Sequence, residues 1–172
     1  EFYMTDIGIM AAGGITVPAY TTNTSADHEY ILKHSGARVA VVSNINIAKK
    51  LLPIISNTNC KLIVVIDDNN EDFSKDTILM NWENFLLEGK NNPKNIAEIY
   101  KKQKRTDTAC IIYTSGTGGY PKGVMLSHGA ILHNCFGADY LLKSIVANLK
   151  RINFLSWLPL SHSYEHTLQF LI

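Results

Sequence analysis

Residues 113–123 read YTSGTGGYPKG, and their types suit one kind of chemistry. Gly116, Gly118 and Gly119 carry no Cβ, so neighbouring backbone N–H groups can converge on one point. Thr114, Ser115 and Thr117 add hydroxyl donors, and Lys122, held at a fixed offset by Pro121, adds a mobile positive charge. Such a loop is built to hold an anion of several charges, a polyphosphate above all. A second stretch, 157-WLPLSHSYEHT-167, contains His162-Ser-Tyr-Glu165-His166. In isolation this spells HxxEH, the inverted zinc-hydrolase pattern: two imidazoles roughly 40° apart on a helix, and a glutamate to activate water.

Spacing separates these possibilities. A P-loop needs GxxxxGK followed by Ser or Thr, but the matching pair here, Gly118 and Gly123, is followed by Val124. The dinucleotide fingerprint GxGxxG fails because Pro121 stands where the third glycine belongs. The zinc reading requires His162, Glu165 and His166 on one continuous helix, together with a third protein ligand and groups to orient all three. No further His or acidic motif follows His166, and His128 and His133 read as surface or core histidines.

The run from Thr114 to Gly123 resembles the AMP-binding signature, TSGTTGxPKG, of the acyl-adenylate-forming synthetases: acyl-CoA synthetases, luciferases and peptide-synthetase adenylation domains. Gly118 departs from it, standing where many members carry Thr or Ser, which removes one hydroxyl but keeps the backbone donors and Lys122. The segment 11-AAGGITVPAYTTNT-24 resembles an early helix, strand and turn of the same family, and 157-WLPLSHSYEHT-167 its next core motif. The wording of both is most similar to bacterial long-chain fatty acyl-CoA synthetases. The resemblance implies an α/β fold, with residues 1–172 forming part of the large N-terminal domain. It also implies a two-step reaction, in which a fatty acid carboxylate attacks the α-phosphorus of ATP and expels pyrophosphate, and the thiol of coenzyme A then displaces AMP. By this resemblance Thr114, Ser115, Gly116, Thr117, Gly118, Gly119 and Lys122 hold the ATP phosphates, with Mg2+ sharing their charge. His162 lies against the carboxylate or adenylate, and Tyr164 walls the acyl or nucleotide pocket. Glu165 and His166 then become packing or pocket-wall positions. The family's later motifs and its small C-terminal domain do not occur in these residues, so the chain is expected to be a fragment that is inactive alone. A zinc hydrolase built on HxxEH and a non-catalytic nucleotide-binding module are the rival readings.

The elements that must position these groups follow from periodicity. Apolar clusters at residues 15–19, 38–43, 61–67, 108–114 and 152–158 read as strands. Amphipathic stretches at 2–12, 26–34, 45–55, 77–88 and 129–145 read as helices between them. Alternation of this kind predicts an α/β unit with a mostly parallel sheet. Gly36 suits a left-handed helix stop, Ser25 and Ser127 suit N-caps, and residues 91–107 read as a surface connection.

Composition narrows the partners. Sixteen Lys and Arg against fifteen Asp and Glu leave no global field to draw nucleic acid or anionic lipid. Small-molecule substrates are therefore expected, and no oligomeric state is specified. Cys60, Cys110 and Cys135 are odd in number and lack a CxxC pair, which predicts reduced, buried thiols. The apolar run from Ile7 to Tyr20 is interrupted by glycines and Pro18, short of the roughly 18 residues a membrane span needs. A cytoplasmic location is expected, and a fatty acyl substrate is compatible with peripheral association at the inner face of a membrane.

Overall fold

A computed structural model of the chain describes residues 1–68, 71–73, 77–114, 120–146, 155 and 157–168. In chain order the elements are α1 (Phe2–Ala11), α2 (Ser25–Ser35), β1 (Val39–Asn44), α3 (Ile45–Leu51), β2 (Leu62–Asp67), β3 (Leu79–Asn81) and α4 (Trp82–Asn91). They are followed by α5 (Ile96–Tyr100), β4 (Thr108–Thr114), β5 (Lys122–Ser127), α6 (His128–Val146) and α7 (Ser163–Leu168). Among the described residues β1, β2 and β3 form a parallel sheet in that order, while β4 and β5 pair antiparallel. The expected α/β alternation with parallel pairing is present, joined to a hairpin that periodicity did not reveal.

Local chemistry explains where most elements begin and end. Helix α2 starts one residue earlier than expected, because Thr24 rather than Ser25 is its cap. The Thr24 hydroxyl accepts from the Asp27 N–H at 3.2 Å, and the Asp27 carboxylate accepts from the Thr24 N–H at 2.9 Å. Gly36 closes the same helix at φ 69°, as its sequence position implied. Helix α3 stops at Leu51, short of the expected 55: Leu52 keeps helical geometry, but Pro53 has no N–H with which to continue the ladder. The expected helix over 77–88 is instead a short strand followed by a helix. Leu79, Met80 and Asn81 pair with Ile63, Val64 and Val65, and Asn81 then caps α4 by accepting from the Asn84 N–H at 2.9 Å. Residues 15–19 form no strand; Thr16 makes an isolated parallel bridge to Cys110 of β4. Most of the expected strand at 152–158 lies outside the described residues.

Burial is concentrated on two clusters. In the first, Ile63 and Val65 of β2, both fully buried, meet Ala48 and Leu51 of α3 and Leu32 of α2. In the second, Ala109, Cys110 and Ile112 of β4 meet Met10 of α1 and Ile131 of α6. Cys110 is fully buried, and burial, reinforced by the charge of Asp6, pushes its thiol up to about 12. Cys60 is buried as well and Cys135 half-buried, so the thiols are mostly buried, as the cysteine pattern led us to expect.

His28 gives the fold a pH dependence. It is 7% exposed, and its Nε2 has no hydrogen-bond partner among the described residues. Burial first, and the nearby charge of Lys50 second, hold its pKa below the ordinary value. The unfolded chain therefore takes up a proton that the folded chain resists. Stability is expected to be fully present above the unfolded histidine pKa, about 6.5. It should fall as the pH drops below that value, levelling only beneath the folded-state pKa. Urea denaturation across this range should show a shallower slope for His28→Gln than for the native sequence; identical slopes would contradict the assignment.

Candidate active site

Strands β4 and β5 carry the two ends of the signature. Strand β4 ends at Thr114 and β5 begins at Lys122, and these two residues face each other across the ladder. One step further in, Tyr113 pairs with Gly123. A Cβ at Gly123 would lie 2.9 Å from Ile111 Cγ2 and 3.3 Å from Tyr113 Cζ, so only glycine lets the tyrosine ring close over this position. Thr114 and Lys122 are both exposed at the open end. The remaining phosphate-loop residues named above, Ser115, Gly116, Thr117, Gly118 and Gly119, lie outside the described residues.

Helix α2 braces this open end. The Tyr30 hydroxyl donates to the Pro121 carbonyl at 3.1 Å, and His34 Nδ1 shares a 2.8 Å hydrogen bond with the Tyr113 hydroxyl. Tyr30 also stacks with His34 and with Tyr120, ring centroids 5.4 Å apart in each pair. Sequence reasoning missed these contacts. Tyr30 and His34 sit one helical turn apart on an expected helix, which shows that they share a face, but nothing local shows what that face meets.

His162 lies immediately before α7 and caps it. Its Nδ1 accepts from the Tyr164 N–H at 3.2 Å, and its carbonyl accepts from the His166 N–H at 2.8 Å. A backbone N–H can only donate, so in the neutral ring Nδ1 carries the lone pair and Nε2 the proton. The donor that remains, Nε2–H, suits a carboxylate or phosphate oxygen. His162 lines a cavity of about 410 Å³ together with Tyr20, Asp27, Thr114 and Pro121. Tyr164 lines a neighbouring, more apolar cavity of about 560 Å³ with Val124, Leu126 and Ala138. The two cavities share Ile112, Thr114 and Ser163. Thus Thr114 and His162 share one cavity and Tyr164 faces the other. Among the described residues Lys122 lines neither, standing next to Pro121 at the mouth of the first.

Glu165 and His166 point elsewhere: each is 1% exposed. His166 Nε2 lies 2.8 Å from the carboxylate of Asp6, which is itself 4% exposed on α1, and Phe2 meets the imidazole edge-on. The Tyr3 hydroxyl has a raised pKa, first through burial and then through the Glu165 charge. The three groups of HxxEH therefore do not converge. His162 stands outside the helix as its cap, and His166 is engaged with Asp6 in the interior. Asp6, 160 residues away, had no sequence signal linking it to His166.

Comparison with known proteins agrees with this architecture. The family model described as AMP-binding enzyme matches residues 1–172. Long-chain-fatty-acid–CoA ligase ACSBG2 of Homo sapiens is 32% identical over 163 residues, covering 94% of this chain and 24% of its own. Long chain acyl-CoA synthetase 3 of Arabidopsis thaliana is 31% identical, covering 92% of this chain and 24% of its own. The chain thus spans about a quarter of the length of these curated relatives. The anthranilate CoA ligase AuaEII in complex with anthranoyl-AMP superposes with a TM-score of 0.57 at 23% identity, over 77% of this chain and 24% of that one. ATP-bound MatB from Rhodopseudomonas palustris superposes at 0.63 and 17% identity, over 95% of this chain and 29% of that one. These two likenesses show the fold. A family model that spans every residue, a matching fold and the signature at the mouth of the hairpin establish that the chain belongs to the AMP-binding enzyme family.

Proposed function

We propose that this chain forms part of the large N-terminal domain of a long-chain fatty acid–CoA ligase, which activates the acid through an acyl-adenylate and releases pyrophosphate and AMP. The observation that carries this reading is the junction at Thr114. There the open end of the signature hairpin meets one cavity lined by Asp27 and His162 and a second, more apolar cavity beside Tyr164. In the first step a carboxylate oxygen attacks the α-phosphorus of MgATP and the bond to pyrophosphate breaks. Both partners are anions, so the rate depends on charge neutralisation and alignment rather than on a protein nucleophile. Lys122 and the hydroxyl and backbone donors from Thr114 to Gly119 neutralise the leaving phosphates. His162 orients the carboxylate through Nε2–H, and the apolar cavity takes the acyl chain with Tyr164 as its wall. In the second step the thiolate of coenzyme A attacks the acyl carbon and AMP departs. Magnesium enters with ATP, as part of the MgATP substrate. No described helix is long and apolar enough to cross a membrane. We place the enzyme in the cytoplasm, where its acyl substrate brings it to membrane surfaces.

Fatty-acid-dependent ATP–pyrophosphate exchange by the full-length protein tests the reading. MgATP binding with no exchange under any fatty acid would point to a nucleotide-binding module instead. His162→Ala is expected to raise the KM for the fatty acid by about 10- to 150-fold, the worth of one hydrogen bond to a charged group, with the KM for ATP much less affected. Equal loss for both substrates would identify His162 as a structural residue only.

A further inference from the structure

Helix α2 holds the open end of the signature hairpin. Tyr30 and His34, one turn apart on α2, reach the residues that flank the Thr114–Lys122 pair: His34 binds the Tyr113 hydroxyl, one step inside it on β4, and Tyr30 binds the Pro121 carbonyl, one step outside it before β5. The second contact acts on orientation. The Pro121 carbonyl and the Lys122 N–H belong to one planar peptide unit, so fixing the oxygen fixes the plane from which the lysine side chain departs. Proline restricts its own φ, leaving little other freedom on that side. Stacking of Tyr120 on Tyr30 adds a second restraint to the outgoing strand. Tyr113 is buried at 8% exposure, meets Tyr30 edge-on and closes over Gly123, so the incoming strand is equally restrained.

We infer that Tyr30 and His34 are positioning residues for adenylation: α2 acts as a clamp that sets Lys122 against Thr114 before ATP arrives. The inference rests on the phosphate-binding role proposed above. Neither residue touches substrate; each acts through the residue beside the one that does. Preorganisation of this kind is felt in the affinity for the polyphosphate, because a loosened lysine must be ordered on binding.

Three variants of the full-length protein test it. Tyr30→Phe keeps the stack and removes only the hydrogen bond to Pro121; it should raise the KM for ATP by about 2- to 10-fold, with the fatty acid KM unchanged. Tyr120→Ala removes the stack and should act in the same direction, whereas Tyr120→Phe, which preserves it, should restore the native value. Thermal denaturation separates positioning from damage. The inference is overturned if ATP affinity is unchanged in both Tyr30→Phe and Tyr120→Ala, or if both substrates weaken together with a matching loss of Tm. Absence of exchange in the native protein would instead overturn the proposed function. In that case calorimetric titration with MgATP reads the same factor in Kd, and equal Kd values for native protein and Tyr30→Phe would overturn the clamp on its own.

Discussion

Lys122→Ala is expected to slow fatty-acid-dependent ATP–pyrophosphate exchange by roughly 5- to 150-fold, the equivalent of about 1–3 kcal/mol for one charge-assisted contact to a phosphate. The structure makes this a clean substitution. Lys122 is exposed at the first position of β5 and, among the described residues, has no ion-pair partner whose loss would disturb the fold. Its removal should therefore leave stability within about 0.5 kcal/mol of native. Adenylation should suffer because the leaving pyrophosphate loses a positive charge fixed beside it. Lys122→Arg keeps the charge but replaces a compact ammonium by a planar fork, and should recover only part of the rate. An exchange rate unchanged in Lys122→Ala would remove the lysine from the mechanism.

His166→Ala is expected to destabilise the fold by about 3–5 kcal/mol, the range found when one partner of a buried polar pair is deleted. Asp6 would be left 4% exposed without the imidazole now 2.8 Å from its carboxylate, in a region that also holds buried Glu165. The loss exceeds that of a cavity of the same size because a carboxylate stripped of its partner keeps its desolvation cost. Replacing both members, as Asp6→Leu with His166→Leu, should be less damaging than His166→Ala, since neither half of the pair is then left without its partner. Urea denaturation of the two variants measures the difference. A loss in His166→Ala below about 1 kcal/mol, or a double variant worse than the single one, would show that the pair contributes little. Because the His166 N–H also bonds the His162 carbonyl, breaking the pair loosens the turn that holds His162.

Elements whose information is local were legible. Strands β1, β2 and β4 are apolar runs bounded by polar residues, and α1, α2 and α6 carry uninterrupted helical stretches within a few residues of their observed limits. Ser127 does cap α6, accepting from the Ala130 N–H at 3.1 Å. Where two local readings competed, context decided. Residues 79–81 carry an apolar spacing that fits a helix, yet β2 offered three unpaired backbone positions, and pairing outweighed propensity. Residues 122–127 were hidden for a different reason. Lys122 and Gly123 read as the end of a loop, and only the antiparallel partner, residues 108–114, reveals them as the start of a strand. Residues 91–107 contained a short helix, α5, too brief to leave a periodic signal.

The chemistry of the loop was carried by spacing along the chain, because glycine freedom, hydroxyl density and a lysine at fixed offset are properties of consecutive residues. HxxEH was likewise visible along the chain, but its meaning was not. Whether His162 and His166 face a common point depends on where α7 begins and on what lies across from each imidazole. Folding set the first histidine as a helix cap beside Thr114 and buried the second against Asp6, bringing together residues 160 positions apart. The clamp from α2 has the same origin, joining Tyr30 to Pro121 across 91 positions. Contacts of that range are selected by burial and backbone pairing summed over the whole core, which no short stretch of sequence encodes.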